Sequence, residues 1–126
     1  ASPHGIGILI EPLNPRDAPG YFLADMPTAL RVIEATDGAA KVMFDCYHMQ
    51  IVHGDLLRTV ERHLPAIGHV QFAAVPDRAE PDHGEVDYGW LLPAIAGAGY
   101  AGAFGAEYRP QTNSFEWMKR FVPGRI

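Results

Sequence analysis

Short apolar runs alternate with amphipathic stretches along the chain, and the alternation repeats four times. Residues 6–10 (Ile6-Gly7-Ile8-Leu9-Ile10) are a run rich in β-branched side chains and predict a strand. Pro12, with no N–H to give to a ladder, stops it just after Glu11. Asp25 is placed to cap a helix over 25–37, with Pro27 tolerated in its first turn and Ala29, Leu30, Val32 and Ile33 on one side; Gly38 ends it. A second strand covers 41–44 and closes at Asp45. The next helix, over 55–64, has Leu56, Leu57, Val60 and Leu64 at helical spacing. A third strand over 67–73 leads into a polar loop, 76–84. A helix over 88–96 follows, with Trp90, Leu91, Leu92 and Ile95 as its candidate core. The fourth strand is predicted over 102–108 and the last helix over 114–121.

Four strands, each followed by a helix, imply an α/β fold with a parallel sheet and helical crossovers. The strands read as apolar throughout, as parallel strands covered on both faces do. A doubly wound open sheet and half of a (βα)8 barrel both satisfy this pattern. A whole barrel needs about 250 residues, so a chain of 126 residues holds one partial domain, roughly half a barrel.

Composition narrows the function classes. The net charge is −5 and the ten basic residues are scattered, which disfavours a nucleic-acid groove. No apolar run is long enough to span a bilayer, so no membrane partner is expected. Cys46 is the only cysteine; an internal disulfide is excluded, and a reducing, cytoplasmic setting is the expectation. A lone thiol in an apolar segment reads as a small core residue rather than a nucleophile. The opening Ala1-Ser2-Pro3-His4-Gly5 is neither a start methionine nor a signal peptide and reads as linker.

The candidate chemistry lies at the strand ends, where α/β folds collect their ligands. Glu11, Asp45, Gln71 and Glu107 put an oxygen-bearing side chain at or beside the end of each strand, at spacings of 34, 26 and 36 residues, about one strand–helix unit each. Single acids often begin loops; four in register are harder to ascribe to chance. Three carboxylates and a carboxamide are a hard-oxygen set suited to Mg²⁺ or Mn²⁺, and a cation explains how three anions could converge. His69 shares a face with Gln71, and is compatible with a site role or with a hydrogen-bonded core position. His48 follows Asp45 by three residues at the same strand end. Arg78, in the loop after the third strand, offers a fork that can clamp a carboxylate. The glycines of 97–102 precede a strand rather than follow one, so they connect helix to strand and do not cradle a phosphate.

Several ordered blocks resemble the hydroxypyruvate isomerase family, within the wider group of xylose-isomerase-like TIM barrels. These are Ile10-Glu11-Pro12-Leu13-Asn14 with Arg16-Asp17 and Pro19-Gly20-Tyr21-Phe22, Phe44-Asp45-Cys46-Tyr47-His48-Met49-Gln50, Gly68-His69-Val70-Gln71, Val75-Pro76-Asp77-Arg78 with Glu80-Pro81-Asp82, Gly84-Glu85-Val86-Asp87-Tyr88, and Gly105-Ala106-Glu107-Tyr108. The resemblance implies the C-terminal half of the barrel, its last four βα units, with the N-terminal half absent. It implies a divalent metal on Glu11, Asp45, Gln71 and Glu107, with Glu11 and Glu107 as the acid/base pair and His48 and Arg78 on a small hydroxy-oxo acid. The implied reaction interconverts hydroxypyruvate and 2-hydroxy-3-oxopropanoate; a 2-oxo-tetronate isomerase is the alternative. Related sugar epimerases generally carry His where Gln71 stands, and Glu near Asp17. Four parallel strands with open edges lead to the further expectation of a homo-oligomer, a missing companion half, or an inactive fragment or assembly module.

Overall fold

The computed structural model describes residues 4–121; the opening Ala1-Ser2-Pro3 lies outside them. Four strands, β1 (Ile8–Ile10), β2 (Ala40–Asp45), β3 (Ile67–Phe72) and β4 (Phe104–Ala106), form one all-parallel sheet. Their spatial order is their chain order, β1-β2-β3-β4. A doubly wound sheet reverses direction at a switch point, whereas successive barrel strands are neighbours. The unbroken order therefore decides between the two folds that the pattern left open.

The helices are α1 (Met26–Ala35), α2 (Cys46–Val52), α3 (Leu56–His63) and α4 (Tyr88–Gly97). Asp25 caps α1 through Thr28 N–H at 2.7 Å, and Asp87 caps α4 through Trp90 N–H. Val42, Phe44, Val70 and Phe72 point from the sheet into the helical side, joining Met26, Ala29, Met49, Val60, Tyr88 and Ile95 in one core. The opposite face carries Leu9, Lys41, Met43, His69, Gln71 and Gly105, as the strand pairing Leu9↔Lys41, Met43↔His69 and Gln71↔Gly105 shows.

Several expectations change. Alternate strand positions differ in burial, because among the described residues the helices cover only one face; Lys41 is exposed while Val42 is fully buried. β4 has three residues rather than seven. The closing segment is a 3₁₀ turn, Glu116–Arg120, held by Trp117 stacking edge-on to Phe72, Tyr108 and Phe121. Trp90, expected in the core, is exposed, and Tyr88 takes its place, donating its hydroxyl to Ala73 O at 2.8 Å.

The largest difference is α2: past the strand end at Asp45 the pattern predicts no helix, and Cys46–Val52 form one. Asp45 serves as the last residue of β2 and the cap of α2, its Oδ1 accepting from Tyr47 N–H at 2.8 Å. Strand and helix thus meet with no intervening loop. Cys46 and Met49 fall on the buried side at an i, i+3 spacing, and burial pushes the Cys46 thiol far up, consistent with an inert core residue.

Candidate active site

At the carboxyl ends of β1 and β2, the loop after β1 meets the junction of β2 and α2. After β1, Glu11-Pro12-Leu13-Asn14 turns back over the sheet, and Asn14 is fully buried. Its Oδ1 accepts from Asp17 N–H at 2.9 Å, which orients the amide so that Nδ2 faces His48 Nδ1 at 2.8 Å. The Asn14 backbone N–H donates to that same nitrogen at 3.0 Å. Asp17, three residues on, accepts from the Tyr47 hydroxyl at 2.7 Å and from Asn14 Nδ2 at 3.2 Å. The first turn of α2 is therefore held twice from the β1 loop, through Asn14–His48 and Asp17–Tyr47.

Against this frame lies a group of polar atoms with nothing to bond. Glu11 Oε1, Asp45 Oδ2, His48 Nε2 and Gln71 Oε1 are all buried and without a hydrogen-bond partner. His48 Nε2 is 3.8 Å from both Glu11 Oε1 and Asp45 Oδ2, beyond hydrogen-bond range. One atom each from Glu11, Asp45 and His48 fit within 4.8 Å of one another. Leaving a buried polar atom unpaired costs about 1–3 kcal/mol, so four together mark a candidate binding place. Three of the four are oxygens, and with Glu107 nearby the donor set fits a hard divalent cation such as Mg²⁺ or Mn²⁺.

The electrostatics agree. Burial raises the Glu11 carboxyl from 4.5 to about 7, with the Asp45 and Glu107 charges adding and Arg78 opposing. Burial likewise lifts Asp45 to about 6, against the Tyr47 N–H bond and the Arg78 charge. Burial, helped by Arg78, pushes His48 down to about 4, so the imidazole is neutral at ordinary pH.

Arg78 spans the site from the other side. Its Nη2 donates to Glu107 Oε2 at 2.6 Å and lies 3.7 Å from Asp45 Oδ2. The guanidinium carbon sits 5.1 Å from the centre of the Tyr47 ring, a cation–π contact. The backbone at Arg78 is left-handed, φ +58°, and this uncommon conformation aims the side chain back over the strand ends. The loop after β4 is fastened to the same region by Glu80, a buried carboxylate that accepts from Gln111 N–H, Thr112 N–H and the Thr112 hydroxyl.

All six residues singled out in the sequence, Glu11, Asp45, Gln71, Glu107, His48 and Arg78, lie at this one end of the sheet. Glu11, Asp45 and Gln71 contribute buried unpaired oxygens. Glu107 differs, because its carboxylate is half-exposed and engaged with Arg78. His69 lies one step before Gln71 on the same face, its ring packed over Gly105. Nothing in the sequence by itself gives Asn14 or Tyr47 a role in the site. Their spacing, Asn14–Asp17 and Asp45–Tyr47–His48, becomes meaningful only where the β1 loop meets the first turn of α2.

The xylose isomerase-like TIM barrel profile matches residues 1–121. The chain belongs to that family. It is 42% identical to a 2-oxo-tetronate isomerase of Cupriavidus necator over 97% of its own length and 48% of that protein. It is 39% identical to a hydroxypyruvate isomerase of Escherichia coli over 88% of its length and 45% of that protein. Among solved structures, one described as an AP endonuclease of family 2 from Brucella melitensis superposes with a TM-score of 0.90 at 41% identity, over 99% of this chain and 49% of the other. The chain thus spans about half the length of the barrel proteins it matches. Among the described residues, no helix is long and apolar enough to cross a membrane.

Proposed function

We propose that this chain carries the metal- and proton-handling half of an isomerase site for small hydroxy-oxo acids, interconverting hydroxypyruvate and 2-hydroxy-3-oxopropanoate. The observation that carries the proposal is the set of buried, unpaired atoms on Glu11, Asp45, His48 and Gln71 beside the Arg78–Glu107 pair. On this reading the chain forms the last four βα units of a (βα)8 barrel, and its uncovered inner face meets the first four.

Glu11, Asp45, Gln71 and Glu107 would hold a divalent cation; bound there, it would supply positive charge to the substrate oxygens on which negative charge develops. The remaining work belongs to the side chains. One of Glu11 and Glu107 takes a proton from C3 of hydroxypyruvate, and the other returns a proton to C2, while the hydroxyl proton passes from O3 to O2. The atoms balance with no external reductant. Glu11 is placed for such exchange, its Oε1 buried and unpaired at the strand ends. Arg78 leaves Glu107 in part to clamp the substrate carboxylate, a group neutral sugars lack.

A second reading, isomerisation of a four-carbon 2-oxo-tetronate, is favoured by the 42% identity to the Cupriavidus enzyme of that name. The nuclease name of the Brucella structure is not carried over: the chain has a net charge of −5, and its site is an oxygen cluster with a single histidine. Turnover of three- and four-carbon substrates by the natural protein, measured side by side with Mg²⁺ or Mn²⁺, tests substrate class. Glu107→Gln tests mechanism. Loss of about 10²-fold or more in kcat is expected, and near-normal turnover with metal bound would remove Glu107 from proton transfer.

A further inference from the structure

His48 reaches the unpaired cluster through Nε2, and which hydrogen it carries decides what it can do there. A neutral imidazole has one N–H and one bare nitrogen, and a backbone N–H can only donate. Asn14 N–H points at His48 Nδ1 at 3.0 Å. The Asn14 side-chain amide points at the same atom, with its orientation fixed independently by Asp17 N–H on Oδ1. Nδ1 therefore faces two donors and must be the bare nitrogen, which leaves the hydrogen on Nε2. Metal-binding histidines show the reverse arrangement, their outer nitrogen donating to a carboxylate or carbonyl so that the inner one is free to ligate.

We infer that Asn14 is a positioning residue that locks His48 as the Nε2–H tautomer, making His48 a hydrogen-bond donor to a substrate oxygen rather than a third ligand beside Glu11 and Asp45. With that assignment the Nε2 hydrogen has no acceptor within the protein, because the nearest carboxylate oxygens stand 3.8 Å away. At 3.8 Å neither carboxylate is close enough to accept that hydrogen, so it stays free for a substrate oxygen. Asp17 and Tyr47 hold the lock in place, since Asp17 anchors both Asn14 and the neighbouring residue of α2. The donor role rests on the function proposed above; the tautomer does not.

The test is ¹⁵N NMR of histidine-labelled natural protein, with the His48 signals assigned by their disappearance in His48→Gln. A pyridine-type Nδ1 and a pyrrole-type Nε2 are expected, unchanged in type when Mg²⁺ is added. Asn14→Asp replaces one of the two donors on Nδ1 with an acceptor. It should bring a hydrogen onto Nδ1 and lower kcat by about 10²-fold, the usual effect of losing one site-directed donor. Asn14→Ser, which restores a donor, should recover the wild-type tautomer. A pyrrole-type Nδ1 in the wild-type protein, or conversion of Nε2 to a metal-bound nitrogen, would overturn the inference. An Asn14→Asp spectrum identical to wild type would overturn the part assigned to Asn14. A confirmed tautomer in a protein inactive on both acids would leave the lock standing and refute the proposed reaction instead.

Discussion

Glu11 carries a buried carboxylate with an unpaired oxygen, and Glu11→Gln converts the cost of that burial into a measurement. Burial and the Asp45 and Glu107 charges raise its carboxyl from 4.5 to about 7 in the folded protein. At about 1.4 kcal/mol for each tenfold change in proton affinity, the rise corresponds to at most ~3.5 kcal/mol; the side chain is 20% exposed, and solvent screening reduces the figure to roughly 1–2 kcal/mol. The sign follows from proton linkage. Between pH 4.5 and about 7 the folded state holds the Glu11 proton more tightly than the unfolded state, so stability falls as pH rises through that window. Glutamine keeps the shape and removes the charge. In a chelator, urea unfolding at pH 5 and pH 8 should show the wild-type protein losing that increment relative to Glu11→Gln, so the variant is the more stable of the two at pH 8. Asp45, raised to about 6 by the same burial, adds a slope common to both proteins, somewhat reduced in the variant where one repelling charge is gone. With saturating Mg²⁺ or Mn²⁺ the order should invert, since the cation stabilises only the protein that keeps the carboxylate. Parallel stability curves for the two proteins in chelator would refute the argument, because they would mean that Glu11 is ordinarily solvated.

Other expectations follow from single contacts. Arg78→Lys keeps the charge but loses the fork that meets Glu107 and lies over Tyr47. It should raise KM for a carboxylate substrate by about 10–100-fold, the worth of one charge-assisted hydrogen bond, and an unchanged KM would show that the substrate carboxylate binds elsewhere. Gly105→Ala would place a Cβ 2.8 Å from His69 Nε2; because that atom ends a side chain that can swing, the cost should be near ~1 kcal/mol, at the low end for overpacking. It should vanish in a His69→Ala background, and equal costs in both backgrounds would place the strain in the backbone. Gly84→Ala meets a backbone carbonyl, Val75 O, at 2.3 Å with φ +93°, and nothing there can swing aside. Its cost in chemical denaturation should therefore be larger, roughly 2–4 kcal/mol, and parity with Gly105→Ala would show that the loop shifts freely.

The hydrophobic pattern carried most of the architecture. Four apolar runs separated by amphipathic stretches are enough to fix a parallel α/β fold, because each strand must be followed by a helix that returns the chain. The register of Glu11, Asp45, Gln71 and Glu107 was legible as well, since one residue at or beside each strand end, spaced by one repeat, puts all four at the same end of the sheet. Asp45 hid α2, because a residue that ends a strand by pattern can at the same time cap a helix by its side chain, and only the Tyr47 N–H bond reveals the second role. The choice between barrel and open sheet lay in the spatial order of the strands, which local periodicity does not encode. Asn14, Asp17 and Tyr47 acquire their roles through bonds across 30 or more residues, Asn14 to His48 and Asp17 to Tyr47. The sequence alone determined which chemical groups this protein brings to one end of its sheet. Their burial, the unpaired atoms they present and the tautomer of His48 were decided only by tertiary structure, because a proton's position depends on which distant donor the fold sets against it.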